Sequence, residues 1–376
     1  MLAQVKKPRD NRIDLLRGFA MIVIGINHYG WLVQGLGFAG WTVPTFTHFG
    51  YSSAAEIFVF LSGYMVGQVY LDKPDFRYRL LSRVKDLYLI NLLMFIVCGL
   101  IAYLANSALS SETSFNFFIE RPVFGTFSFV ALLYQPLYLD VLTLYIVLML
   151  ACVVFAKQIV LWPKATLLVS AAVYAAVQIG RIKGYSINVP GGPPQDDWMW
   201  DFNPFAWQLI FMTAVVTGRQ RLLTRSLEYL ESHRLHMIVS AVIMMLALSV
   251  YYIDVHTAFN MPFVIKRDLG AIRIMHSLAS LYFFCCIVVL LKPLYQGLFC
   301  RVVALIGQNT LHCYAASIPA TYLLAELCRR FGNSQLAYLI SLAALLLFIY
   351  GVAYWRQRSR LNKRSNGLEK ERLAQV

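Results

Sequence analysis

Charge is scarce in this sequence. Asp, Glu, Lys and Arg make up 14% of its 376 residues, against 59% apolar residues, and the mean hydropathy is positive. So little charge excludes an ordinary soluble domain, and the repeated long apolar runs read as membrane helices. Acidic residues are scarcer still: 19 Asp and Glu stand against 33 Lys and Arg, a net charge of +14. The surplus does not point to nucleic acid, which needs one basic face on a soluble body. Here the basic residues sit in short segments between apolar runs, as the positive-inside rule predicts. Metal-ligand spacing is absent. The seven cysteines, Cys98, Cys152, Cys285, Cys286, Cys300, Cys313 and Cys328, all lie in or beside apolar runs, so neither a metal site nor a disulfide framework is expected. No small-residue cleavage site follows the first apolar stretch, and cleavage would remove its polar motif, so that stretch reads as an uncleaved helix. The internal repeat that many transporters carry is missing as well.

What is present is an all-α pattern: a polytopic integral membrane protein of about ten transmembrane helices. They are expected over 15–36, 52–70, 87–104, 140–156, 165–180, 204–218, 235–253, 269–291, 302–327 and 336–355. This count puts most of the 33 lysines and arginines on one side, which orients both termini to the cytoplasm. Residues 1–14 are then a cytoplasmic segment with Lys6, Lys7, Arg9 and Arg12, 15–355 the transmembrane domain, and 356–376 a basic tail expected to be disordered. The stretch 106–139 is Phe-rich and interrupted by Pro122, Gly125 and Pro136. It reads as a far-side loop with a short interfacial or re-entrant piece, tolerated where protein covers it.

The first helix carries an arginine and a histidine, Arg17 and His28. Eleven steps of about 100° make about three turns, so both fall on one face, roughly 16 Å apart along the axis. Ionisable groups inside a bilayer are costly and usually functional. One face thus offers a cation near one surface and a titratable base near mid-depth, an arrangement suited to a ligand with an anionic end and a reactive end. Arg17 alone would read as a snorkelling flank residue, and His28 alone as a satisfied helix histidine. Their shared face favours function. Glu56, one turn into the second helix, is expected near the level of His28, where it would orient the imidazole or simply satisfy a helix start. Arg273 and His276 share a face of the eighth helix, and Asn309 and His312 one of the ninth. Each pair lines a cavity or makes an interhelical polar contact. Asp140 and Asp254 stand at far-side helix ends. Trp198 and Trp200 fit either sugar stacking or an interfacial aromatic belt.

These residues resemble a known family. Arg17 and His28 match the Arg-X10-His motif of the membrane acyltransferase 3 superfamily. The segments Asp14-Leu-Leu-Arg-Gly18, Ala54-Ala-Glu-Ile-Phe-Val-Phe-Leu-Ser-Gly-Tyr64, Gln135-Pro-Leu-Tyr-Leu-Asp140, Phe202-Asn-Pro-Phe-Ala-Trp-Gln208 and Arg273-Ile-Met-His276 are similar to the OpgC family, succinyltransferases of the bacterial inner membrane that modify osmoregulated periplasmic glucans. The resemblance spans nearly the whole chain. It implies that acyl-CoA, as succinyl-CoA or acetyl-CoA, is a cytoplasmic co-substrate, that no cofactor is permanently bound, and that a periplasmic glucan hydroxyl is the acceptor. By match of position, His28 would be the base or acyl relay with Glu56 beside it. Arg17, Arg79 and Arg83 would meet the phosphates of CoA, although the Arg79–Arg83 spacing is wider than the superfamily's Arg-X-X-Arg. Arg273, His276, Asp140 and Trp207 are the remaining candidate substrate contacts, Arg273 as a partner for a succinyl carboxylate. Other readings are a glycan or lipid-linked glycan transporter, an O-acetyltransferase on another exported polysaccharide, and a silent subunit of a polysaccharide assembly.

Overall fold

In the computed structural model the described residues are 10–105, 107–191, 199–257 and 261–373, with side chains through 362. Lys6, Lys7, Arg9 and Trp198 lie outside them. The chain is all-helical. Its helices are α1 (Asn11–Gly35), α2 (Ala54–Val69), α3 (Phe76–Leu104), α4 (Ser107–Glu112), α5 (Asn116–Glu120), α6 (Pro122–Val130), α7 (Asp140–Leu161), α8 (Pro163–Ile182), α9 (Pro204–Arg219), α10 (Leu222–Ser232), α11 (Leu235–His256), α12 (Ala271–Leu290), α13 (Leu298–Gln308), α14 (Thr310–Arg330) and α15 (Gln335–Leu373). Among the described residues no strand forms, and a single isolated bridge joins Pro190 and Met199.

Among the described residues, six helices (α3, α7, α8, α11, α12 and α15) are long and apolar enough to cross a membrane. The chain is a multi-pass membrane protein. The helices at its centre are different. α1 buries Asp14 and Asn27, α2 buries Glu56, and α14 buries Glu326 around an internal Pro319. Length excludes α2, an apolar helix of 16 residues, and polar groups dilute the hydropathy of α1 and α14. They are tolerated because protein, not lipid, surrounds them.

Small residues let the central helices touch. A Cβ on Gly67 of α2 would fall on the carbonyl oxygen of Val215 in α9, and one on Gly218 of α9 on that of Tyr64 in α2. α1 and α13 meet the same way, Gly18 against Val303 and Gly307 against Asp14. Glycine at such crossings allows close backbone approach where lipid supplies no hydrophobic drive. Gly67→Ala is therefore expected to force α2 off α9 and cost about 1–3 kcal/mol, read as a lowered thermal midpoint of the detergent-solubilised protein. An unchanged midpoint would contradict this packing.

Four features differ from the sequence expectation. The third helix begins at Phe76, so Arg77, Arg79 and Arg83 lie on helix rather than in a loop. The expected ninth helix is broken at Asn309 into α13 and α14. The stretch 106–139 holds three short helices, and Pro122 starts α6 rather than interrupting it, because its missing N–H costs nothing at a first helical position. Finally, α15 continues through Leu373 in place of a disordered tail. The segment 356–373 is rich in Arg, Lys, Glu and Leu, all good helix formers, and contains no proline.

The end of the bundle that carries the start of α1 is tied by charge. Arg12 reaches Asp10 at 2.9 Å and Glu231 of α10 at 2.8 Å, and Lys292 reaches Glu231 at 2.5 Å. Lys292, and behind it Arg12, hold the Glu231 carboxyl below its ordinary value despite partial burial. This tie is intact above the ordinary carboxylate range and is lost as pH falls through the lowered value. α10 lies beneath it, burying Leu223, Leu227 and Leu230 at helical spacing.

Candidate active site

The face of α1 that carries Arg17 and His28 borders two cavities. The first, of about 540 Å³, is lined by Asp14, Arg17, Arg83, Arg221 and Thr310. The second, of about 410 Å³, is lined by Asn27, His28, Asp140, Lys266 and Arg267. Phe58 and Tyr314 line both. Their rings lie 6.3 Å apart between centroids at 26°, and Tyr314 meets the His28 ring edge-on at 6.1 Å. Two aromatic side chains thus stand between a cavity rich in arginine and a cavity that contains a histidine.

His28 is held with care. Its ring stacks on Tyr138 at 3.9 Å and 10°. The Tyr138 hydroxyl donates to the His28 backbone carbonyl at 2.9 Å. Tyr138 itself sits in the left-handed region at φ 68°, a strained position for an aromatic residue. Two buried tyrosines brace it: Tyr314 donates to its carbonyl at 2.6 Å and Tyr322 to that of Leu137 at 2.7 Å. Such over-determined strain gathers at functional sites. Among the described residues the Nδ1 atom of His28 is sealed without a hydrogen-bond partner and the ring is half-buried, so Nε2 is the nitrogen turned to the cavity. Beside it, Asn27 donates to Thr47 at 2.9 Å and accepts from Thr45 at 2.7 Å, fixing the loop after α1.

The other predicted residues separate into two groups. Arg17 donates to the Thr310 hydroxyl at 2.6 Å at the start of α14. Arg83 lines the same cavity; Arg79 does not, being exposed and paired with Asp75 at 2.8 Å. Asp140 borders the His28 cavity, with Oδ1 accepting from the Val141 N–H at 2.8 Å. Glu56, Arg273, His276 and Trp207 border neither cavity. Glu56 closes a capping box on Ser53, accepting from its N–H and hydroxyl at 2.8 and 2.7 Å, and takes Arg273 on its other oxygen. Both of its oxygens are engaged by these donors, and among the described residues no hydrogen bond joins it to His28. His276 contacts the Ser52 hydroxyl at 2.7 Å. Trp207 is fully buried and cannot stack on a sugar. Its indole N–H reaches the carbonyls of Lys266 and Arg267 at 3.2 and 3.1 Å. With Asn203, which donates to Asp268 at 2.8 Å, the Phe202–Gln208 motif holds the loop that carries Lys266.

Sequence reasoning missed Arg221, Tyr138, Tyr314, Phe58 and Lys266. The positive φ of Arg221 has no signature in a residue that is not glycine. Tyr138 lies inside the Gln135–Asp140 motif, the one signal that was available. No curated protein and no solved structure matches the chain. The model of the OpgC protein family matches residues 9–361. That is nearly the whole chain, including both cavities, and this membrane protein belongs to the OpgC family.

Proposed function

We propose that this OpgC-family membrane acyltransferase moves an acyl group, succinyl by preference, from cytoplasmic acyl-CoA to a hydroxyl of a periplasmic glucan. The observation that carries the reading is the pair of cavities on one face of α1, meeting at Phe58 and Tyr314. A donor whose phosphates rest among Arg17, Arg83 and Arg221 has its long pantetheine arm directed toward the histidine. Arginine suits phosphate because its fork makes charge-assisted, paired hydrogen bonds. The nine lysines and arginines of the 1–14 and 71–86 segments support reading that end as cytoplasmic.

At the other cavity His28 acts through Nε2. It takes the proton of the sugar hydroxyl as the oxygen attacks the thioester carbonyl. The tetrahedral intermediate collapses, the C–S bond breaks, and the imidazolium returns the proton to the CoA thiolate. A relay through an acyl-histidine uses the same nitrogen. Glu56 enters neither route. The test is transfer by the purified protein in lipid, with radiolabelled succinyl-CoA or acetyl-CoA and periplasmic glucan. Label on glucan supports the reading and identifies the donor. No label from either donor, with CoA binding also absent, overturns it in favour of a transporter.

The two arginines of α3 separate cleanly under this reading. Arg83→Ala is expected to weaken CoA binding by about tenfold to a hundredfold, the worth of a charge-assisted hydrogen bond. Arg79→Ala is expected to change it by less than about twofold, as an exposed pair contributes little. Calorimetric titration with CoA reads both. Equal losses would place Arg79 at the donor as well.

A further inference from the structure

We propose that Lys266 is the specificity residue for the acyl group, selecting donors whose acyl chain ends in a free carboxylate; the inference rests on the transferase reading above. The need for such a residue arises from what Arg273 does. Arg273 is committed to Glu56 in a buried ion pair, and the Glu56 side chain is fully shielded from solvent. It borders neither cavity. The cations that do line the His28 cavity are Lys266 and Arg267. Arg267 is paired with Asp201 at 3.7 Å. Lys266 has no carboxylate within ion-pair distance among the described residues. Its ammonium lies 4.6 Å from the centroid of the Phe202 ring, and it lines the same cavity as His28 and Asp140.

The placement of Lys266 is built rather than accidental. The fully buried Trp207 holds its backbone carbonyl through the indole N–H. The Leu269 N–H donates to the same carbonyl at 3.2 Å. Phe202 supports the ammonium and leaves its N–H groups free to donate into the cavity, since a ring face attracts a cation without consuming a strong acceptor. A half-thioester of a four-carbon diacid carries its carboxylate about 4 Å from the reacting carbonyl carbon. With that carbonyl at His28, the tail reaches toward the cavity wall, where Lys266 offers a charge-assisted hydrogen bond. An acetyl group has nothing to present to it. Lys266 takes no part in bond making or breaking.

The test compares succinyl-CoA with its methyl ester, which has the same chain without the charge, in glucan transfer by native protein, Lys266→Met and Lys266→Arg. Lys266 is exposed, so neither substitution disturbs the packed core. Native protein is expected to favour succinyl-CoA by about tenfold in kcat/KM, mainly through KM. Lys266→Met should lose that preference while keeping its rate with the methyl ester, and Lys266→Arg should restore most of it. A preference unchanged in Lys266→Met, or an equal fall with both donors, overturns the assignment and leaves the transferase reading intact. Native protein that transfers neither donor removes both.

Discussion

His28→Ala is expected to lower glucan acylation by about 10²–10⁴-fold, the range set by losing a positioned general base, while CoA binding stays within about twofold. The separation follows from the architecture. Arg17, Arg83 and Arg221 border one cavity and His28 the other, with Phe58 and Tyr314 between. The substitution removes the ring that stacks on Tyr138 at 3.9 Å but keeps the backbone carbonyl to which the Tyr138 hydroxyl donates. The strained segment around Tyr138 therefore keeps its anchor, and the folded protein should elute and melt as the native one does. Transfer assays and CoA titration on one preparation separate the two effects. Native transfer rates in His28→Ala would remove the base from the mechanism.

Glu56→Ala is expected to act on stability. It takes three hydrogen-bonded contacts from the start of α2: the two from Ser53 and the one from Arg273. It also leaves Arg273 buried beside no counter-charge. Breaking a buried pair by removing one partner costs about 3–5 kcal/mol. Arg273→Met should cost less, since Glu56 keeps both Ser53 donors. The double variant should be more stable than Glu56→Ala alone, because no unpaired charge remains buried. Thermal midpoints of the detergent-solubilised single and double variants measure the coupling, and acyl transfer by the double variant measures function. Strictly additive midpoints would contradict the buried pair, and a double variant that folds natively yet loses transfer as His28→Ala does would return Glu56 to the catalytic machinery.

The sequence reveals relations within one helix better than relations between helices. Arg17 and His28 are legible because the 3.6-residue period places them on one face whatever surrounds it. Most helix positions are legible for the same reason, from apolar runs long enough to span a bilayer. Glu56 and Arg273 lie 217 positions apart, and no periodicity announces that they meet. Glu56 was expected at His28 by depth alone, and depth does not specify which way a helix is turned. Trp207 illustrates a related limit. An aromatic residue in a motif reads equally as a ligand platform or as a brace, and burial decides for the brace. The break at Asn309 is illegible because its one strong signal, Gly307, is also common inside membrane helices. The strain at Tyr138 is illegible because tertiary hydrogen bonds from Tyr314 and Tyr322 impose it.

The central claim is that one helix connects a donor seat on one side of the membrane to a base serving the other. Sealed vesicles carrying the protein, with glucan trapped inside and radiolabelled succinyl-CoA only outside, test it most directly. The account predicts that label reaches the trapped glucan, that Phe58 and Tyr314 admit the acyl arm without leakage of succinyl-CoA, and that vesicles bearing His28→Ala stay blank. Acylation that occurs only when donor and glucan share one side would contradict it.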